Sequence, residues 1–490
     1  MKLKKTVAIA AAAGALTAVA MPAMAFENEF HGMYKLKYFL SNYENGSSGF
    51  INPSPQTVTP ATGSISSSAR KNLKTNNYFE QRARIQYSAK ASDDLKLVTQ
   101  FEIDSVFGDR AQGLAGRGSG GALESDAVNL ETKHVYLDFK IPSTPVKVTA
   151  GIQAYKDAFK GVLLDADIAG INTVTKLGPA TLGLGYFRAY DQSYSLPTFR
   201  TTRGIDNLDI LALNASFDLS KDLKVGSAYY LYSDDRSIPN AAVGSTNIHT
   251  LGVNMDAKLG PLGLSGFAAM QQGLTKGTNS PTTINRVTYN GYAFNAAAKL
   301  AVGPGTLRTA ALYTTGDDGR DGINTAWQST RQAQDQVGVV PSGAATNSYN
   351  DSNMMLLNRS TNMGGTTTDQ NLVYTTNNKN QGVFLYSLGF DAKLGSKAYA
   401  NVNAGMAWAS KTNSSTATAR PRDLNTRSVA GTNYLGTEVN FETGYKMYDN
   451  LTGSLQAAYV LLGGYYENTL ANGKSPADPY TARVVLSYAF

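Results

Sequence analysis

Histidine and cysteine, two residue types that often catalyse reactions or bind metals, are scarce or absent in this chain of 490 residues. It has three histidines, His31, His134 and His249, and no cysteine. The histidines lie far apart in the sequence, and without cysteine there can be no thiolate metal site, no disulfide and no lipid-modified cysteine. The sequence therefore predicts no catalytic residues, no bound metal and no cofactor.

One glycine-rich stretch has the spacing of a dinucleotide-binding motif. Residues 116–121 read Gly-Arg-Gly-Ser-Gly-Gly. That motif binds a pyrophosphate only where a strand precedes it and a helix follows it, and no helical periodicity follows here. We interpret the stretch as a flexible loop, and we expect that the protein is not an enzyme.

Charged side chains are the remaining candidates for function, and they alternate with apolar ones. The clearest case is the stretch 78–91. Arg82 and Arg84 share one parity of this stretch. Ala83 and Ile85 share the other. A period of two residues indicates a β-strand with one polar face and one apolar face.

Short turns and long polar loops alternate along the whole chain. The eight short turns fall at 92–94, 142–145, 178–180, 220–222, 260–262, 303–305, 395–397 and 449–450. The nine long connections fall near 44–77, 108–129, 156–167, 191–206, 234–247, 273–287, 316–379, 411–431 and 464–477. This alternation predicts an all-β fold of about 18 antiparallel strands, or 16 if one hairpin is miscounted. Short turns on one side and long loops on the other are typical of transmembrane β-barrels in bacterial outer membranes.

The N-terminal residues have the pattern of a secretory signal peptide. Lysines at positions 2, 4 and 5 precede an apolar run, and Ala23-Met24-Ala25 provides a small-residue cleavage site. The apolar run is too short to span a bilayer as a helix. We therefore predict a signal peptide over residues 1–25, Sec-type export, and a single mature domain over residues 26–490.

Cleavage there would leave a chain that is nearly balanced in charge. Loss of three lysines lowers the formal net charge from +7 to +4. Such a balance gives no electrostatic basis for binding nucleic acid. No later apolar stretch is long enough for a transmembrane helix, so a membrane form must be a closed barrel, which leaves no unpaired backbone edge in lipid.

The last strand candidate ends on an aromatic residue. In 480–490, the residues Tyr480, Ala482, Val484, Leu486, Tyr488 and Phe490 share one parity. This ending resembles the closing strand of Gram-negative outer-membrane β-barrels. The predicted mature chain as a whole resembles the porins in the order and lengths of its strands, turns and loops. It implies that Phe490 is an assembly signal for the barrel-assembly machinery, and that the barrel lies in the outer membrane beside lipid and lipopolysaccharide.

In such a barrel the charged parity must face water, because Lys or Arg on the lipid face costs about 2–4 kcal/mol at the bilayer midplane. Barrels of sixteen or more strands leave an aqueous interior. The candidate pore-lining cations are Arg82, Arg84, Lys90, Lys96, Arg308 and Arg483. The candidate pore-lining anions are Glu80, Glu102, Asp104, Asp138, Glu438 and Glu442. Simple solvation inside a wide barrel is the alternative for each of them.

Two long connections are candidates for narrowing the lumen. The third occupies the position of the constriction loop in the general porins, although a short surface loop is the alternative. Its charged residues are Lys156, Asp157, Lys160, Asp165 and Asp167. The seventh, at 316–379, holds an apolar group at 354–357. The sequence leaves open whether this connection caps the pore, folds into the lumen or binds a partner.

We expect an outer-membrane porin that passes small hydrophilic solutes and ions by passive diffusion. Two alternative functions are a sheath for a partner protein, such as an outer-membrane cytochrome, and a barrel that exports a polymer. Ala268, Ala296, Ala298 and Ala311 would form a patch of small side chains on the lipid face. This patch is the candidate contact surface of a homotrimer like that of the general porins.

The processing site gives a first testable prediction. Protein from the outer-membrane fraction should begin at Phe26, because signal peptidase cleaves after small residues such as Ala25. Intact-mass measurement checks this. A mass that includes residues 1–25 would show that the segment is retained.

Overall fold

The structure is a computed structural model that describes most of the predicted mature chain. The described residues are 27–44, 75–108, 121, 130–191, 207–235, 243–277, 286–320, 322–329, 347–358, 360–363, 371–373, 375–378, 380–412, 432–467 and 475–490. The signal-peptide prediction and the glycine-rich stretch up to residue 120 lie outside these residues.

Twenty β-strands make up nearly all of the regular structure in the described residues. The first ten are β1 (Glu27–Ser41), β2 (Asn76–Ser92), β3 (Leu95–Val106), β4 (Leu130–Lys140), β5 (Val146–Lys156), β6 (Asp165–Leu177), β7 (Ala180–Asp191), β8 (Asn207–Ser220), β9 (Leu223–Asp234) and β10 (Val243–Leu259). The others are β11 (Leu262–Gly277), β12 (Arg286–Tyr289), β13 (Tyr292–Val302), β14 (Gly305–Thr314), β15 (Ile323–Asn324), β16 (Val383–Lys393), β17 (Ala398–Trp408), β18 (Tyr434–Tyr448), β19 (Leu451–Leu462) and β20 (Tyr480–Ala489).

Eighteen of these strands form one closed antiparallel barrel. Each long strand pairs with the next along the chain, and β20 pairs with β1 to close the ring. The short β12 extends the edge of β11 beyond β13, and β15 pairs parallel with β12. The prediction of an 18-stranded all-β barrel is therefore confirmed, and the count of 16 is wrong.

The connections sort by length as the sequence predicted. Eight hairpins close with two to five residues, for example between β6 and β7 and between β10 and β11. Gly178 and Gly260 in those two turns have φ of 59° and 60°. Glycine reaches this left-handed region without the steric cost that a Cβ atom brings, so it permits the two-residue turns.

The outer surface of the barrel is apolar. Ile171, Leu184, Val253 and Val402 each leave about half of their surface exposed, on the parity that faces away from the lumen. Within the described residues, no helix is both long enough and apolar enough to cross a membrane.

The four alanines of the predicted contact patch all lie on this outward parity. Ala296 faces Ala311 across the β13–β14 pair, and Phe294, two residues before Ala296, is 47% exposed. The homotrimer itself stays a prediction.

The buried core of the molecule lies inside the barrel, where two connections fold inward. We call residues 157–164, between β5 and β6, loop L3, and residues 315–382, between β14 and β16, loop L7. Phe159 of L3 and Trp327 and Leu356 of L7 are fully buried in one apolar cluster with inward side chains of the wall. The strands supply the scaffold, and these loops fill much of its interior.

The pairing between β1 and β20 extends to Phe490, one residue beyond the end of β20. The backbone of Phe490 exchanges two hydrogen bonds with that of Gly32, at 2.8 and 3.1 Å. A Cβ atom at Gly32 would lie 2.4 Å from Cζ of Phe490, so the Phe490 ring rests directly on this glycine. Phe490 therefore completes the hydrogen-bonded closure and covers it.

Deleting Phe490 should lower the amount of folded barrel in the membrane, because the deletion removes both hydrogen bonds and the ring that covers Gly32. The measurement is the yield of heat-modifiable protein on a gel. A Phe490→Tyr variant keeps the backbone and the ring and should assemble normally. Unchanged yield and mobility after the deletion would contradict the assembly role.

Candidate functional site in the barrel lumen

Ion pairs cover the inward face of the first three strands. The β2–β3 register places Arg82 opposite Asp104 and Arg84 opposite Glu102. Arg82 donates two hydrogen bonds of 2.7 Å to Asp104, and Arg84 donates through Nε to Glu102. Next to them, Nζ of Lys37 lies 4.0 Å from Glu80. The predicted cations and anions of this wall therefore neutralise one another.

Burial differs between the two partners of each pair. The Glu102 side chain has no exposed surface and that of Asp104 is 1% exposed, whereas the side chains of Arg82 and Arg84 are 25% and 31% exposed. Water in the lumen thus reaches the guanidinium groups, and the carboxylates lie behind them. The structure places these residues inward, and their effect on passing ions stays a prediction.

Two further arginines of the wall, on β14 and on β20, are also paired. Arg308 of β14 forms a two-pronged pair with Asp391 of β16 and donates to Oδ1 of Asn403 at 2.7 Å. Arg483 of β20 is almost fully buried and pairs with Glu44. Neither guanidinium is an open positive charge on the wall.

The remaining predicted wall residues lie in less enclosed positions. Near the short turns, Lys90 pairs with Glu27 and Asp93 at 3.2 and 3.0 Å. Lys96 lies 4.0 Å from Asp138, which also pairs with Lys147. Glu442 accepts a hydrogen bond of 2.7 Å from the Tyr399 hydroxyl.

A single carboxylate organises loop L3. The side chain of Asp157 accepts hydrogen bonds from the backbone N–H groups of Phe159, Gly161, Leu163 and Leu164, at 2.5 to 3.1 Å. Burial raises the pKa of Asp157 to about 6, while these four donors act in the opposite direction. At neutral pH the group is therefore mainly ionised, and it holds the loop as a compact turn.

Loop L3 packs against the wall of the lumen. The Phe159 ring lies 5.6 Å from that of Tyr230 and 5.5 Å from that of Phe267. Nζ of Lys160 donates to Oγ of Ser265 at 2.7 Å. The third connection therefore lies inside the barrel and is not a surface loop.

Three of the five predicted loop residues belong to strands instead of L3, since Lys156 is the last residue of β5 and Asp165 and Asp167 lie in β6. Asp165, the first residue of β6, pairs with Lys156 at 3.4 Å. Asp167 faces Ala154 in the strand register and binds Lys133 at 2.6 Å and His134 at 2.8 Å. The assignment of Asp167 to the constriction loop is therefore wrong, because the strand begins before it and turns it away from L3.

Much of the described part of loop L7 also lies inside the barrel. Tyr349 accepts a hydrogen bond of 2.6 Å from Asn295 on β13, and the carbonyl of Met363 accepts one of 3.0 Å from Arg483 on β20. Thr314 at the end of β14 donates to the carbonyl of Thr376 at 2.7 Å. The loop therefore contacts inward side chains from β13 to β20.

Glu438 of β18 provides a further contact to L7. Its carboxylate accepts hydrogen bonds from the backbone N–H groups of Met355, Leu356 and Leu357, at 2.6, 3.0 and 2.6 Å. The Asn440 side-chain amide donates a fourth, at 2.6 Å. Glu438 is fully buried, so it faces the loop and not the solution.

Loops L3 and L7 are joined to each other. The backbone N–H of Ser348 donates to the carbonyl of Gly161 at 2.9 Å, and the Thr376 hydroxyl donates to that of Val162 at 2.7 Å. Lys160 and Asp351 form a salt bridge between the two loops. Together they form one inward structure, which we call the L3–L7 barrier.

Known structures share this architecture. No family model and no curated protein matches the chain. Among solved structures, the outer-membrane protein OpdK from Pseudomonas aeruginosa is 11% identical, with 95% of this chain and 98% of that chain covered and a TM-score of 0.50. A second structure, of OccK1 (OpdK) from the same organism, is 12% identical over 94% and 98% of the two chains, also with a TM-score of 0.50. The chain thus has the fold of the outer-membrane porins of Gram-negative bacteria.

Sequence reasoning did not identify several partners of the wall residues. Lys37, Glu44 and Asp391 complete the pairs of Glu80, Arg483 and Arg308. Asp391 shares the inward parity of its strand and lies beside Arg308 only because β14 and β16 pair across loop L7. A register prediction across that long connection would have been required to find it.

Replacing Arg82 and Arg84 together with glutamine should shift the reversal potential toward cations, because two positive charges are removed while Glu102 and Asp104 keep their negative charges. The shift should be larger at low salt than at 1 M, since salt screens fixed charges. Folded yield should also fall, because hydrogen bonds between charged groups such as these contribute about 1.5–3 kcal/mol each. Planar-bilayer recording measures the shift.

The matched control is a fourfold variant that adds Glu102→Gln and Asp104→Asn, so that the net charge of the wall is that of the native protein. It should return the reversal potential to the native value. A double variant with native reversal potential at low salt would place these arginines outside the ion path.

Proposed function

We propose that the protein is a passive diffusion channel of the outer membrane for small hydrophilic solutes and ions. The observation that carries this proposal is an 18-stranded barrel whose lumen has charged walls and an internal barrier built from its own loops. The apolar outer surface supports a position in a bilayer. The part-exposed guanidinium groups of Arg82 and Arg84 support a water-filled passage beside the barrier.

The L3–L7 barrier supports a restriction to small solutes. A barrel of this strand number leaves an aqueous interior unless something fills it, and here Phe159, Trp327 and Leu356 pack into that interior. Solutes must therefore pass between the barrier and the wall. Size should limit passage more strongly than in an unobstructed barrel.

The pairing of wall charges supports weak selectivity between anions and cations. A lumen with a row of unpaired charges of one sign concentrates the opposite ion. On the walls described above, each of the strongly buried arginines and carboxylates has a partner of opposite charge or a set of hydrogen-bond donors. We therefore propose a general channel that discriminates by size more than by charge.

The two alternative functions have less support. A sheath needs room for its partner, whereas loops L3 and L7 occupy the lumen of this barrel. A polymer exporter for a charged chain needs a continuous track of one sign, and the walls combine both signs. Lipopolysaccharide contact, recognition of Phe490 by the assembly machinery and a homotrimer through the alanine patch remain proposals for the assembled protein.

Purified protein in planar bilayers tests the proposal. We expect stepwise conductance, a reversal potential near zero in a salt gradient, and liposome uptake of small neutral sugars that falls steeply with sugar size. The control is heat-denatured protein, which should conduct nothing. Folded protein that inserts and neither conducts nor admits any sugar would contradict the proposal, and a partner protein that co-purifies with it would favour a sheath.

A further inference from the structure

The contact between Glu438 and loop L7 has an unusual chemistry. All four of its described hydrogen-bond partners are donors, namely three successive backbone N–H groups and one side-chain amide. A carboxylate has only acceptors, so it can satisfy all four at once. Successive backbone N–H groups that converge in this way form an anion-binding concavity. The partner of Glu438 is thus the main chain of the loop.

The buried charge of Glu438 is supported from behind by a hydrogen-bond relay. Arg308 donates to Asn403 at 2.7 Å, and Asn403 donates to Asn440 at 2.7 Å. Asn440 then donates to Glu438, and also to the carbonyl of Asn353 in L7 at 3.0 Å. Every amide in the relay points its donor toward the carboxylate. A buried carboxylate is costly without hydrogen-bond donors, and this relay supplies one of them from the wall.

The anchored segment is the apolar part of L7. Met354, Leu356 and Leu357 have no exposed surface, and the backbone N–H groups of Leu372 and Val373 donate to the carbonyls of Leu356 and Leu357 at 2.9 and 2.8 Å. A shift of residues 355–357 would therefore move a second strip of the loop with it. It would also leave three N–H groups without acceptors.

We propose that Glu438 is the positioning residue of the channel, which holds loop L7 across the lumen and so sets the size of solute that passes. The inference rests on the proposed function, because it assigns the size limit to one contact. Glu438 does not contact the solute. It acts through the main chain of residues 355–357.

Glutamine is the sharpest substitution at this position. It preserves shape and removes one charge, but it replaces one acceptor with an NH₂ donor that meets donors from the loop. Loss of charged hydrogen bonds of this kind shifts an equilibrium by roughly 10- to 100-fold. In Glu438→Gln, wide openings in single-channel records should become roughly 10- to 100-fold more frequent, and liposomes should admit larger sugars.

Glu442→Gln is the matched control. Glu442 lies four residues further along the same face of β18, and its described hydrogen bond is the one from Tyr399. Both variants remove one lumenal charge from the same strand, so both should shift the reversal potential in the same direction. Only Glu438→Gln should raise the frequency of wide openings. Equal opening frequencies and equal sugar limits in the two variants would overturn the inference.

An engineered disulfide distinguishes a loosened loop from a weakened barrel. A Cβ atom at Gly405 on β17 would lie 3.3 Å from Cγ of Met354, which places cysteines at 354 and 405 within reach of a disulfide. The chain has no other cysteine. In Glu438→Gln with Met354→Cys and Gly405→Cys, the oxidised form should return to the native opening frequency, and reduction should restore the wide openings. Wide openings that persist in the oxidised form would show that L7 is not their source.

A labelling experiment separates failure of this inference from failure of the proposed function, because it needs no conductance. A cysteine at Leu356, which is fully buried, should react with a membrane-impermeant maleimide at least tenfold faster in Glu438→Gln than in Glu442→Gln. Equal rates would overturn the inference even if the channel conducts. If Glu438→Gln does not assemble, Asn440→Ala replaces it; faster labelling than in Glu442→Gln would support the inference, and equal labelling would overturn it.

Discussion

The structure depends on one constraint, which is that no backbone N–H or C=O group can face hydrocarbon without a partner. Each barrel strand meets this constraint by pairing on both sides, so the sheet must close. Closure falls on β1 and β20, where the backbone of Phe490 meets that of Gly32. The absence of a side chain at Gly32 leaves room for the aromatic ring that covers the seam. Because the closed sheet separates lipid from an aqueous interior, each strand also needs one apolar face and one polar face.

Inside the barrel, a similar constraint applies to polar side chains. Side chains of the lumen must be either hydrated or paired, and this chain uses both solutions. Arg82 and Arg84 cover Glu102 and Asp104, so the carboxylates are buried and the guanidinium groups meet water. Removing one partner of such a pair costs more than the pair itself contributes, because the other charge is left buried. These pairs therefore stabilise the contact between neighbouring strands of the wall.

In the two inward loops, buried carboxylates bind backbone N–H groups. Asp157 and Glu438 each bind several backbone N–H groups and no described cation. A loop in a wide lumen has no sheet to pair with, and a buried carboxylate supplies the acceptors that a neighbouring strand would otherwise provide. Asp157 shapes L3 from within, whereas Glu438 docks L7 from the wall. The barrier is thus built by acceptors that are fixed on, or next to, rigid strands.

The sequence by itself determined the fold and the direction in which most wall residues point. Alternation at positions such as 82–85 decides the two faces of a strand, because successive side chains of a strand point in opposite directions. Gly178 and Gly260 mark tight turns for another local reason, because glycine reaches positive φ without steric cost. Short-range physics of this kind is sufficient for the 18 strands, and it predicted the inward position of Glu438 along with the others.

Only the tertiary structure decided what those inward residues bind. Glu438 and Glu442 have the same type, strand and parity, yet one is fully buried against L7 and the other accepts a hydroxyl donor from β17. The difference arises because residues 355–357, about 80 positions before Glu438 in the chain, bind Glu438 and not Glu442. The alternation of polar and apolar residues does not predict such a contact. Asp391 pairs with Arg308 for a similar reason, across the 68 residues of L7. Periodicity reports the face on which a side chain lies, whereas the partner on that face depends on where distant segments meet.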